Sequence, residues 1–195
     1  MTEITEKKSP PIRPARRAEI AQAHAWLEQA IDTSPYYGSA FKAFEKQQLS
    51  LHYLQRLYDL DPGHIMMMVD GDVPKGIMIS SPQYGALWLH WSFLPPENRR
   101  GSLAMAATRA LINYWDNGRF HKISTYTKPD NTAAKTIMHR YGYKQIAVLE
   151  QHLFGEDYLL YEHTLTKVSE GYDFGVPGEG TLGRLKRRAR RLLGL

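Results

Sequence analysis

The stretch ALWLHWSFL at 86–94, followed by PPENRRGSLAMAATRAL at 95–111, carries the reading of this chain. Its first nine residues are apolar and aromatic, a strand pattern that Pro95 and Pro96 close. Ser102 to Asn117 is rich in Ala and Leu and stops at Gly118, which predicts a helix with a glycine C-terminal cap. A strand that turns through a small-residue loop into a helix offers unpaired backbone N–H groups at the helix N-terminus. With the helix dipole these make an anion site suited to a pyrophosphate. Arg99 and Arg100 add positive charge there, and Gly101, Ser102 and Ala104 keep bulky side chains away from the phosphates.

Outward from this unit, Ile20, Ala23, Leu27 and Ile31 repeat at helical spacing and predict a helix from Ala18 to about Asp32. A second helical stretch covers Phe41 to Tyr58. Short β-type runs at 64–69 and 75–80 flank Asp70-Gly71-Asp72, a hairpin signal. Lys122–Thr127 reads as a strand, and Asp130 or Asn131 can cap a helix that Gly142 ends. Two final strands, 143–154 and 158–165, surround Gly155-Glu156-Asp157. A short strand at Ile12-Arg13 completes the order β-α-α-β-β-β-α-β-α-β-β, an α/β layered fold with a mixed sheet.

Two segments carry a joint resemblance. Arg99-Arg100-Gly101-Ser102-Leu103-Ala104 resembles the pyrophosphate-loop motif of the GNAT family of N-acetyltransferases, Gln/Arg-x-x-Gly-x-Gly/Ala, with Ser102 where glycine is usual. Asn131-Thr132-Ala133-Ala134-Lys135, ending in Tyr141-Gly142-Tyr143, is similar to the family's second signature, Asn-x-x-Ala followed by Gly-Phe. The resemblance spans residues 12–165. It implies a GNAT-type, mostly antiparallel sheet flanked by helices, and acetyl-coenzyme A or another acyl-coenzyme A as co-substrate. The backbone of Phe93 and Leu94 would pair with the pantetheine arm. The loop Arg99 to Ala104, Leu103 included, would hold the pyrophosphate, and Asn131 and Lys135 would lie along the coenzyme. Asn131 is equally suited to a plain helix cap and could fill both roles, and for Arg99 and Arg100 a solvated turn is the weaker alternative.

The chain departs from the family at its proton-transfer positions. Where the family has a tyrosine seven residues after the Asn stands Met138, whose thioether donates no proton. The strand 86–94 has no glutamate. With strict alternation, Trp88, His90, Ser92 and Leu94 share one face, and Leu87, Leu89, Trp91 and Phe93 the other. His90 is the only side chain on either face suited to base catalysis near neutrality. Its alternative is a half-buried histidine hydrogen-bonded within the sheet. Tyr36, Tyr37, Phe41 and Phe44 fall in the segment resembling the family's acceptor-binding region, where helix packing would also account for them. The Met66-Met67-Met68 run reads as core.

At 195 residues the chain holds one compact domain, with 43% apolar and 23% charged residues. With no cysteine, disulfides, thiolate catalysis and cysteine-ligated metals are excluded, and the histidines show no metal-site spacing. No metal is expected. The N-terminus has no apolar stretch of the secretory kind, so the expectation is a cytoplasmic protein. Of 25 basic residues six lie in 181–195, which has no acid, leaving 19 in residues 1–180 against all 20 acids. The net charge of +5 therefore sits in the tail.

The expected organisation is a disordered lead at 1–10, the domain at 11–166, a Gly/Pro linker at 167–180 and the basic tail at 181–195. On a helix, Leu182, Leu185, Ala189, Leu192 and Leu193 share one arc that excludes every basic residue. Such a C-terminal amphipathic helix suits an anionic membrane surface, with nucleic acid the weaker alternative and docking on the domain itself a third. Two functions follow. One is N-acyl transfer from coenzyme A to an amine of unknown identity. The other is a catalytically impaired binding or structural module of the same fold, tethered by the tail.

Overall fold

The computed structural model describes residues 9–99 and 101–167, together with Ala189. Most of the expected lead, Arg100, the linker beyond Lys167 and the tail apart from Ala189 lie outside the described residues. Seven strands form one sheet: β1 (Ile12–Pro14), β2 (Ile65–Asp70), β3 (Val73–Gln83), β4 (Ala86–Phe93), β5 (Lys122–Thr127), β6 (Lys144–Leu153) and β7 (Glu156–Thr164). Their order is β1-β2-β3-β4-β5-β7-β6, and every neighbouring pair is antiparallel except β4 with β5. The sheet is thus mixed and mostly antiparallel, as a GNAT-type fold requires.

Among the described residues five α-helices cover it: α1 (Ile20–Thr33), α2 (Ser39–Gln48), α3 (Leu51–Leu60), α4 (Leu103–Trp115) and α5 (Thr132–Arg140). The single helix expected at 41–58 is two. Ser50 divides it, because its hydroxyl accepts from the Tyr53 backbone N–H and caps a new helix. In α1 the buried residues Ala23, Leu27, Ala30 and Ile31 make one face at helical spacing. That face packs with Leu54 and Leu57 of α3 over Ile65, Met67, Ile77 and Ile79. Across the sheet, Ala107, Leu111 and Trp115 of α4 cover Met66, Met68, Met78 and Leu87. The methionine run therefore alternates between two cores, which is why an uninterrupted apolar strand fits here. Burying one such side chain fully stabilises by about 1.5–3 kcal/mol.

Strict alternation fails in β4. Ile79 pairs with Trp91 and Ser80 with Leu89, so His90 is an extra residue, a β-bulge. Leu87 and Leu89 consequently belong to the α4 side, whereas Trp91 and Phe93 belong to the α1/α3 side. The expectation that these four share a face is corrected. One inserted residue reverses the facing of everything after it.

Beside the bulge, β3 packs tightly onto the end of β4. A Cβ on Gly76 would lie 2.4 Å from the Phe93 carbonyl oxygen and 2.6 Å from Leu94 Cδ2. Gly76→Ala is expected to cost about 1–3 kcal/mol, the usual penalty of overpacking. A urea midpoint equal to that of the wild type would refute this close approach.

Candidate active site

The parallel ladder between β4 and β5 is short, pairing Leu87 with Ile123 and Trp88 with Ser124. Beyond it the strands part. Thr125 spans the gap by donating its hydroxyl to the Leu89 carbonyl at 2.8 Å. A cleft of about 580 Å3 opens at this split and reaches both faces of the sheet. Met68, Met78 and Thr108 line it on the α4 side, and Ser34, Tyr37 and Trp91 on the other.

The residues singled out by sequence converge on this cleft unevenly. His90, Phe93, Leu94, Arg99, Ala104 and Asn131 line it. Gly101, Ser102, Leu103 and Lys135 are not among its lining residues, and Arg100 is not described. Gly101 has φ +103°, which glycine tolerates best, and a Cβ there would meet nothing within 4 Å. Ser102 makes no side-chain capping bond, so the first turn of α4 receives none from its own cap residue. Arg99 folds back, its Nε donating to the Leu94 carbonyl at 2.9 Å and its guanidinium lying 5.7 Å from the Phe93 ring centroid. Asn131 caps α5 by accepting from the Ala134 N–H at 3.1 Å, and its place in the cleft wall leaves both of its readings open. The Lys135 ammonium donates to the Pro129 carbonyl.

His90 stands half-buried on the cleft wall, where the bulge turns it. Its Nε2 lies 2.7 Å from Ser81 Oγ on β3. Burial pushes its imidazole down to about 4, so the ring is neutral across the physiological range. Met138 also lines the cleft, at the position where the resemblance would place a tyrosine.

An aromatic wall closes the end of the cleft on the α1/α3 side. Tyr37 stacks on Phe41 at 4.5 Å and meets Trp91 edge-on at 5.5 Å. Tyr158 lies 6.3 Å from Tyr37 and 5.8 Å from Tyr126. Phe44 is instead exposed, edge-on to Phe154 at 5.7 Å. Among the described residues no group of His, Asp and Glu side chains is arranged to hold a metal ion.

The family model for the acetyltransferase (GNAT) domain matches residues 11–144, more than half of the chain. The chain belongs to the GNAT acetyltransferase family. Its fold is that of solved GNAT structures. One is yncA of Salmonella typhimurium, a putative acetyltransferase solved with acetyl-CoA. It shares 15% identity over 85% of this chain and 98% of that one, with a TM-score of 0.66. RimL, the ribosomal L7/L12 alpha-N-protein acetyltransferase, was solved in complex with coenzyme A. It shares 13% identity over 80% of this chain and 96% of that one, at a TM-score of 0.63. The ribosomal-protein-alanine N-acetyltransferase of Brucella melitensis shares 15% identity over 79% and 99%, at 0.61. At such identities the likeness is one of fold. No curated protein matches the sequence.

Sequence reading missed Tyr126, which lines the cleft, and two residues packed against its lining, Glu45 beside Trp91 and the buried Tyr158 beside Tyr126. Glu45, on α2, accepts a 2.7 Å hydrogen bond from Trp91 Nε1. A signal existed, since Glu45 follows Phe41 by four residues and so shares its helix face. Tyr126 and Tyr158 carried none. They reach the cleft region from β5 and β7, strands that only the tertiary fold sets beside α2.

Proposed function

We propose that the chain transfers an acetyl group, or a longer acyl group, from acyl-coenzyme A to an amine bound at the aromatic end of the cleft. One observation carries this reading. A single cleft passes through the split between β4 and β5 and links the α4 side to the aromatic wall. The loop before α4, with Gly101 and the uncapped first turn, suits the pyrophosphate. The backbone of Phe93 and Leu94 would run beside the pantetheine arm. Arg99, tied to the Leu94 carbonyl, would stiffen that edge and present its remaining N–H groups to phosphate. Asn131 and Lys135 flank the coenzyme in this reading.

The amine lone pair attacks the thioester carbonyl, whose oxygen is polarised by a backbone N–H near Leu94. The C–N bond forms, the C–S bond breaks, and the thiolate leaves and takes a proton from water. His90, neutral at pH 7, accepts the amine proton once attack has made that nitrogen acidic. Positioning supplies much of the rate. Amine-dependent release of free thiol from acetyl-coenzyme A tests the proposal, and its absence with every primary amine tried would leave the binding-module reading. Met138 in the cleft wall favours that second reading, because no tyrosine stands there to protonate the thiolate.

The tail at 181–195 we assign to an anionic membrane surface, which would hold a cytoplasmic enzyme against the bilayer. Among the described residues no helix is long and apolar enough to cross a membrane, so any attachment by them would be peripheral. Each basic residue near an anionic surface contributes about 1 kcal/mol, so the six could dominate attachment. The full chain is expected to sediment with vesicles containing anionic lipid, and residues 1–180 are not. Replacing Leu185 and Leu192 by Ser should weaken vesicle binding. Unchanged binding would point to phosphate recognition, and no binding by the full chain would refute the assignment.

A further inference from the structure

Glu45 is a half-buried carboxylate that pairs with no cation among the described residues. The only hydrogen bond to its side chain among the described residues comes from the neutral indole of Trp91, and no ion pair among them includes it. The cations around it are committed elsewhere. Lys46 pairs with Asp32 at 2.6 Å, and Lys42 donates to the Asp32 carbonyl. Lys128 pairs with Glu156 at 3.0 Å. Taking a carboxylate out of water without a counter-ion is costly, and burial here holds the Glu45 carboxyl above the usual range. Burial first, and then the Glu45 charge, raises the phenols of Tyr37 and Tyr126. The same charge is one of several that add to burial at Tyr158. Phenols from three separate elements thus sense one carboxylate. Tyr158 is nearly fully buried, and its hydroxyl has no hydrogen-bond partner among the described residues.

We propose that Glu45, held against the cleft wall by the Trp91 indole, forms with the cleft-lining rings of Tyr37, Trp91 and Tyr126 the subsite that receives the acceptor as a primary ammonium ion, an assignment that rests on the acyl-transfer reading. An ammonium supplies a counter-charge that no described residue gives Glu45, and gains cation–π attraction from the ring faces. The fold already uses that attraction at its edge, where the Lys128 Nζ lies 4.9 Å from the Tyr158 ring centroid. Ammonium also donates up to three hydrogen bonds, and carboxylate and phenol oxygens can accept them. The subsite thus selects an acceptor that arrives as a cation and disfavours one with a carboxylate next to its nitrogen; the bound ammonium gives one proton to water before its lone pair attacks the thioester, and His90 takes the second after attack.

The test uses the full chain and needs no turnover. The Trp91 indole N–H donates to Glu45, so its 1H–15N resonance, identified by its loss in Trp91→Phe, reports on the carboxylate. Titration with n-propylammonium chloride at constant ionic strength is expected to shift this resonance saturably. The neutral analogue 1-propanol is expected not to. Glu45→Gln keeps an oxygen for the indole bond and removes the charge, and should weaken n-propylammonium binding at least tenfold. Glu45→Asp should restore most of it. Equal shifts from 1-propanol, or wild-type binding by Glu45→Gln, would overturn the subsite. Acetyl-coenzyme A binding, measured separately by thermal shift, tests the acyl-transfer reading. Failure there with a positive ammonium titration would locate the error in the reaction and not in the subsite.

Discussion

A hundredfold excess of acetyl-coenzyme A over its Kd is expected to raise the midpoint of thermal unfolding by about 5–10 °C. Binding to the folded state alone at that excess stabilises by about 2.7 kcal/mol. For chains of 150–250 residues, each kcal/mol shifts the midpoint by about 2–4 °C. Ser102→Asp should abolish most of the shift, because it sets a carboxylate at the start of α4, where the pyrophosphate would lie. The substitution discriminates well. Aspartate is among the best N-caps, and Ser102 makes no capping bond of its own, so the apoprotein should unfold no earlier than wild type. Arg99→Glu should act in the same direction, but it also removes the tie to the Leu94 carbonyl and the contact with Phe93, and so lowers the apo midpoint. A melting curve that saturating acetyl-coenzyme A leaves unmoved would reject the coenzyme assignment.

His90→Ala is expected to lower kcat/KM at pH 7 by about 10- to 1,000-fold, the range spanned by a positioned base of modest strength. A linkage measurement separates that role from a structural one. The folded-state pKa of about 4 lies below the ordinary histidine value, so the unfolded chain binds this proton more readily at intermediate pH. The stability that neutral His90 contributes is therefore complete above about 6.5 and is lost as pH falls towards 4. Urea midpoints of the wild type should fall through that window, and His90→Gln should flatten the fall. Wild-type kcat/KM in His90→Gln, together with the flattened stability curve, would show that the histidine only braces the strand against Ser81. Met138→Tyr should leave thiol release unchanged or raise it, since it adds a proton donor to the cleft wall.

The local signals of this chain were legible wherever one residue type or one spacing settles the matter. Ile20, Ala23, Leu27 and Ile31 specify a helix face without reference to any other segment, and α1 buries that face. Gly142, at positive φ directly after the Tyr141 cap, marks the end of α5 because left-handed backbone strongly favours glycine, whereas α4 stops at Trp115 with Asp116 as its cap, two residues before the expected Gly118. The strand–loop–helix unit at 86–111 was readable for the same reason, and with Asn131 and Gly142 it indicated the family. Ser50 was harder to read. A single capping serine splits the expected helix, and its signal is buried in a continuous apolar pattern.

What the sequence determined by itself is therefore the order of elements, the family and the half of the cleft that lies along β4 and α4. Each of these depends on residues close together in the chain. The tertiary structure alone decided the facing of β4, because the bulge at His90 arises only in the register against β3. It also decided the aromatic end of the cleft. Glu45, Trp91, Tyr126 and Tyr158 lie far apart in sequence, and the sheet order β4-β5-β7 together with the packing of α2 brings them to one place. Burial, and the charge felt through it, is a property of that assembly. It changes both acid–base groups, lowering His90 and raising Glu45, and no spacing along the chain encodes it.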